Sequence, residues 1–88
     1  MNNQLTERDE QILMSILVRE LGLPAEQIRG EARIQEELGA DSLTIIEITM
    51  AVDESFHLNI SDECLERVRT VDDLRAALAE SLYPQARV

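Results

Sequence analysis

Lysine and tryptophan are absent from this 88-residue chain, and cysteine, histidine, phenylalanine and tyrosine occur once each. A lone Cys64 excludes an internal disulfide and a zinc site, and nothing points to an oxidising compartment. With aromatics at 2%, a strand-rich domain is disfavoured and the composition leans helical. Only two prolines and three glycines interrupt it. The polar start, Met1 to Thr6, lacks the basic and apolar stretches of a signal peptide, and no apolar run approaches membrane-spanning length. The expected location is the cytoplasm, without membrane insertion. Eight arginines face eighteen acids, for a net charge of −10, a surface that repels phosphate backbones and argues against nucleic acid. No segment matches the D-x-[DN]-x-[DN]-G calcium loop of EF-hands.

What is present fits one small domain, residues 1–88 with an ordered core of about 6–82, expected as a monomer. Hydrophobic residues at 44% are too many for a disordered chain. Ile12, Leu13, Ile16, Leu17 and Leu21 recur at helical spacing, and the first helix is predicted from about Glu7 to Leu21. Thr6 and Asp9 stand in a capping-box arrangement before it, with Gly22 and Pro24 after it. A long connection from Pro24 to about Ala40 carries Ile28, Ile34 and Leu38, which predict that it packs over the core. A second helix is predicted from Asp41 or Ser42 to near Phe56. A short third runs from about Ser61 to Arg67, and a fourth starts at Thr70 and stops at Pro84. Val71, Leu74, Leu78 and Leu82 give the fourth its apolar stripe, and the last residues are expected to fray. The expected fold is all-α: a small four-helix bundle, three main helices plus a short third, with a long loop between helices 1 and 2.

The second helix has two faces to satisfy. At about 100° per residue, Ile45, Ile48, Thr49, Val52 and Phe56 form a core stripe. Leu43, Ile46, Glu47, Met50 and Glu54 fall nearly opposite. One reading makes the apolar members of that second face part of a wide core. The other makes it a docking surface, apolar anchors ringed by carboxylates that steer basic partners. The charge distribution favours docking: from Ile34 to Glu66 there are nine acids and no lysine or arginine.

The segment Glu37-Leu38-Gly39-Ala40-Asp41-Ser42-Leu43 sits where the loop enters this helix. It resembles the phosphopantetheine attachment motif of acyl carrier proteins, and the likeness extends from about Thr6 to Leu82, with Glu47, Met50, Phe56, Ile60 and Val71 in similar positions. The chemistry is reasonable for a serine there, because a helix N-terminus has unpartnered N–H groups and a positive dipole end that favours a phosphodiester. The alternative is that Ser42 or Asp41 serves only as an N-cap.

The resemblance implies a carrier without catalytic activity. A phosphopantetheinyl transferase would move 4′-phosphopantetheine from coenzyme A to Ser42, and the arm would hold acyl groups as thioesters. Asp41, Leu43, Ile46, Glu47, Met50 and Glu54 would meet that transferase and acyl-transferring, condensing or acid-activating enzymes with basic patches, in fatty-acid, polyketide or related secondary biosynthesis. Ile45, Thr49 and Ile34 would lie near a cavity for the acyl chain. Thr44 stands where many fatty-acid carriers have an acid, which removes a contact charge. Ala40 stands where peptidyl carriers more often have glycine, which favours acyl over aminoacyl cargo. Other readings are an acidic interaction module without prosthetic group, a peptidyl or aminoacyl carrier, and an enzyme pairing Ser42 with His57. The last is disfavoured, since the two residues end the same helix, about 20 Å apart at 1.5 Å per residue. His57 is expected as a surface or loop residue and Cys64 as a small, at least half-buried one.

Overall fold

The computed structural model describes residues 5–84. Four α-helices follow in order: α1 (Glu7–Leu21), α2 (Ser42–Phe56), α3 (Asp62–Glu66) and α4 (Val71–Leu82). A single 3₁₀ turn, Ala25–Gln27, breaks the connection between α1 and α2, which otherwise lacks helix. The expected fraying at the C-terminus concerns residues 85–88, outside the described ones.

Each α-helix starts on a side chain that accepts an orphan backbone N–H. The Thr6 hydroxyl accepts from the Asp9 amide (3.1 Å) while the Asp9 carboxylate accepts from the Thr6 amide (3.0 Å). Thr70 and Asp73 repeat this box at α4, Asp41 caps α2, and Ser61 caps α3. α1 stops at Gly22, whose φ of 69° is the left-handed conformation that closes a helix. α2 stops the same way at His57, at φ 58°, a conformation less comfortable for a residue with a Cβ.

The core draws on the three longer helices: Leu13, Ile16 and Leu17 of α1, Ile48 and Val52 of α2, and Val71, Leu74 and Leu78 of α4 are buried, with Cys64 and Leu65 of α3 half-buried against them. Ile28 and Ile34 are buried too, so the connection packs over the core as its pattern predicted, with Leu38 half-buried against it. Backbone bonds fix it further. The carbonyls of Gly30 and Ala32 accept from the amides of Asp72 (2.8 Å) and Val71 (3.1 Å), satisfying N–H groups that α4 itself cannot pair. The Arg69 carbonyl accepts from the Ile34 amide (2.9 Å). No polar or charged side chain is buried among the described residues.

Three members of the α2 stripe depart from full burial. Phe56 is half-buried because it is the last residue of α2, one turn beyond Val52, at the edge of the cluster rather than inside it. Ile45 and Thr49 are half-buried because the space beside them is a cavity rather than packed side chains.

Candidate functional site

The chain passes from buried to exposed within one residue at the entry to α2. Ala40 is buried and its amide donates to the Ile34 carbonyl (3.1 Å), which anchors the loop end to the core. Gly39 precedes it at φ 77°, with nothing within 4 Å of the position a Cβ would take, so backbone conformation alone requires glycine there. Asp41, Ser42 and Leu43 then stand exposed. Ser42 is the first residue of α2, where amides have no preceding turn to bond and the helix end is positive.

Asp41 is tied to this end by two bonds. Its Oδ1 accepts from the Thr44 amide (2.8 Å) and from the Thr44 hydroxyl (2.9 Å). Those bonds, the amide first, hold its carboxyl below the ordinary aspartate range. The first turn of α2 contains no acid of its own, so Asp41 is the nearest carboxylate in sequence to Ser42, with Glu37 and Glu47 next.

Down the helix, the two predicted faces separate. Leu43, Ile46 and Met50 are 62%, 54% and 64% exposed, and Glu47 and Glu54 are exposed between them. A wide core therefore does not account for these residues. A groove between α1 and α2 continues this face, with Arg19 and Glu20 across from Glu47, Met50 and Glu54.

Behind the same helix lies a cavity of about 320 Å³. Ile34, Ile45 and Thr49, the three residues expected beside such a space, line it, together with Ile48, Leu65, Val68 and Leu74. Exposed Gln35, Glu36, Glu66 and Arg69 form its rim. Leu65 and Val68 were not anticipated as lining residues; their three-residue spacing at the end of α3 is the only trace in the sequence. The Thr49 hydroxyl donates to the Ile45 carbonyl (2.9 Å), so the wall offers hydrocarbon rather than a free donor.

The remaining candidates do not assemble into a catalytic centre. His57 is exposed at the far end of α2, fifteen positions from Ser42. Cys64 is half-buried and free. Among the described residues no group of three His, Cys, Asp or Glu side chains is placed to hold a metal ion, and no helix is long and apolar enough to cross a membrane.

A family model described as the phosphopantetheine attachment site matches residues 11–78. An acyl carrier protein of Bdellovibrio bacteriovorus is 43% identical over 63 residues, covering 72% of this chain and 81% of its own length. One of Syntrophobacter fumaroxidans is 41% identical over 69 residues, covering 78% and 85%. Among solved structures, hexanoyl ACP from the actinorhodin polyketide synthase of Streptomyces coelicolor superposes with a TM-score of 0.68, covering 98% of this chain and all of that one, at 24% identity, which bears on the fold. With a matching family model across most of the chain and relatives above 40% identity, this protein belongs to the acyl carrier proteins, carriers of 4′-phosphopantetheine rather than enzymes.

Proposed function

We propose that Ser42 is the attachment residue and that the Leu43–Glu54 face of α2 presents the loaded carrier to its enzymes. The observation that carries this reading is the joint exposure of Ser42 at the start of α2 and of an apolar, acid-ringed face beginning one residue later. The residues fit the group. Ser42 is open to a modifying enzyme, the helix end favours a phosphodiester, and the cavity lies on the other side of the same helix. The arm, when bound, supplies the thiol that holds an acyl group as a thioester.

For cargo, the cavity favours a reduced hydrocarbon chain. Its volume stands at the lower end of ligand pockets, ~300–1,000 Å³, and its inner walls are aliphatic, with the Thr49 hydroxyl already bonded and Gln35, Glu36, Glu66 and Arg69 confined to the rim. A chain rich in carbonyls would leave acceptors unpaired inside it. The partners are a phosphopantetheinyl transferase and acyl-transferring or condensing enzymes with basic patches, acting in the cytoplasm. The charge of −10 supports fast electrostatic encounter, and a small apolar contact keeps each complex brief.

Coexpression with a transferase of broad specificity, followed by intact mass, tests the attachment. The wild-type chain should gain one phosphopantetheine and Ser42→Ala none. An unmodified wild-type chain would favour a bare interaction module. Loading the arm with an alkyl chain should shift the methyl resonances of Ile45, Leu65 and Leu74; unmoved resonances would remove the cargo reading.

A further inference from the structure

The two hydrogen bonds on Asp41 are unequal in what they explain. The bond from the Thr44 amide is the ordinary N-cap of α2. The bond from the Thr44 hydroxyl adds nothing the cap requires, yet it goes to the same oxygen, Oδ1. Among the described residues both of these bonds converge on Oδ1, while the nearby amides of Asp41 itself and of Leu43 add a weaker attraction to the carboxylate. A carboxylate held twice at one oxygen, by a residue whose backbone is locked in a helix, has little rotational freedom left. It is then presented in a fixed place at an exposed residue next to Ser42.

Charge explains why that place matters. Loading Ser42 rests on the reading above. The Ser42 oxygen–phosphorus bond forms while the phosphorus–oxygen bond inside the coenzyme A pyrophosphate breaks. The nucleotide phosphate departs, and the hydroxyl proton passes to a base on the partner. The donor is strongly anionic, and the positive helix end attracts it, but the charge of Asp41, the residue before Ser42, repels it. A cation of the partner placed on Asp41 removes the repulsion and orients the carrier.

We propose that Thr44 is a positioning residue for this loading: its hydroxyl pins Oδ1 of Asp41 so that the carboxylate is held in place to meet a partner cation as the phosphoryl donor approaches Ser42. Threonine and serine can serve this role, and a residue without a hydroxyl donor cannot. Where Thr44 was read from sequence as a contact charge removed, the structure shows a hydrogen-bond donor gained, aimed at the one carboxylate adjoining the acceptor.

The test is the kinetics of arm loading by a broad-specificity transferase with coenzyme A, on the full chain. Thr44→Val keeps the shape and the capping amide and removes only the hydroxyl. Its kcat/KM should fall about fivefold, the effect of one ordinary solvent-exposed hydrogen bond, through KM for the carrier with kcat nearly kept. Thr44→Ser should restore wild-type KM. In an Asp41→Asn background, Thr44→Val should cost nothing further. Urea midpoints matching the wild type would separate this from a folding defect, and Thr44→Ala gives a second variant should Thr44→Val fold poorly. A wild-type KM for Thr44→Val, no rescue by serine, or an equal loss in the Asp41→Asn background overturns the proposal while leaving the attachment reading intact. A wild-type chain that takes no arm overturns both.

Discussion

Met50 and Val52 are two residues apart on α2, one 64% exposed and the other 0%, and a pair of substitutions turns that difference into opposite outcomes. Val52→Ala removes two methyl-sized groups from a site where every surface is already in contact. At roughly 0.8 kcal/mol per buried carbon plus a cavity penalty, the cost is about 2 kcal/mol. For a domain of this size that lowers Tm by about 10 °C. Met50→Gln changes a mostly solvated side chain for one of similar length and should stay within about 0.5 kcal/mol of wild type. Partner affinity reverses the order. Met50→Gln deletes an apolar anchor of the docking face and should weaken binding about tenfold, whereas Val52→Ala should bind normally below its melting point. Urea unfolding followed by far-UV circular dichroism suits a chain without tryptophan, and calorimetric titration with a partner enzyme gives Kd. If Met50→Gln destabilised the fold by more than about 1.5 kcal/mol, or bound as tightly as wild type, the separation of faces on α2 would be wrong.

Glu47→Lys and Glu54→Lys should each weaken docking to a basic partner at low salt while leaving the unfolding midpoint in place, since both side chains are exposed; unchanged affinity at low ionic strength counts against it. Phe56→Ala should cost about 2 kcal/mol rather than the ~3–5 of a fully buried aromatic, because the ring is half-buried at the end of α2; denaturant titration decides between the two figures. Gly39→Ala should cost about 1 kcal/mol, all of it conformational, since φ is 77° and no atom crowds the new Cβ; a neutral effect would show that the loop can re-form without the left-handed turn. Acidification should erode the caps. The Tyr83 hydroxyl holds the Asp9 carboxyl low, and the backbone amides of Arg69 and Thr70 do the same for Asp73. Their folded-state pKa values lie below the unfolded ones, so this stabilisation is present above about pH 4 and is lost as pH falls through the folded values; Asp73→Asn should flatten the acid limb of a Tm-against-pH curve.

Helix ends were the most legible part of the sequence, because caps are local chemistry. Thr6 with Asp9, Asp41, Ser61 and Thr70 with Asp73 each announce a start that the structure places at the next residue. The 3₁₀ turn at Ala25–Gln27 was not legible, since three residues carry no period. Nor was the docking of Gly30 and Ala32 onto the start of α4, because a backbone carbonyl finding a distant amide leaves no mark on side-chain identity. The same holds for the Tyr83 hydroxyl, which donates to Asp9 (2.6 Å) and ties the end of α4 to the start of α1. At the site, angle separated the two faces of α2, and the run of acids without lysine or arginine favoured exposure of the second. The role of Thr44 did not, because composition counts its missing charge and only geometry shows its hydroxyl on Asp41.

The distribution of ion pairs bears on what the acidic surplus is for. Within the described residues the paired arginines are Arg19, Arg29, Arg33 and Arg75, which meet Glu20, Glu31, Glu36, and both Glu10 and Asp72. None of these pairs uses a residue of α2, although that helix carries Glu47, Asp53 and Glu54 and no basic residue. Asp53 has a structural task, since it accepts from the Ile60 amide (3.2 Å). Glu47 and Glu54 have no such bond and repel one another and the rest of a −10 chain, a cost to folding that a solubilising surface of mixed sign would avoid. Solubility alone would not require the surplus to gather around three exposed apolar side chains on a single helix. The docking proposed for that helix, with partners bringing the missing cations, does.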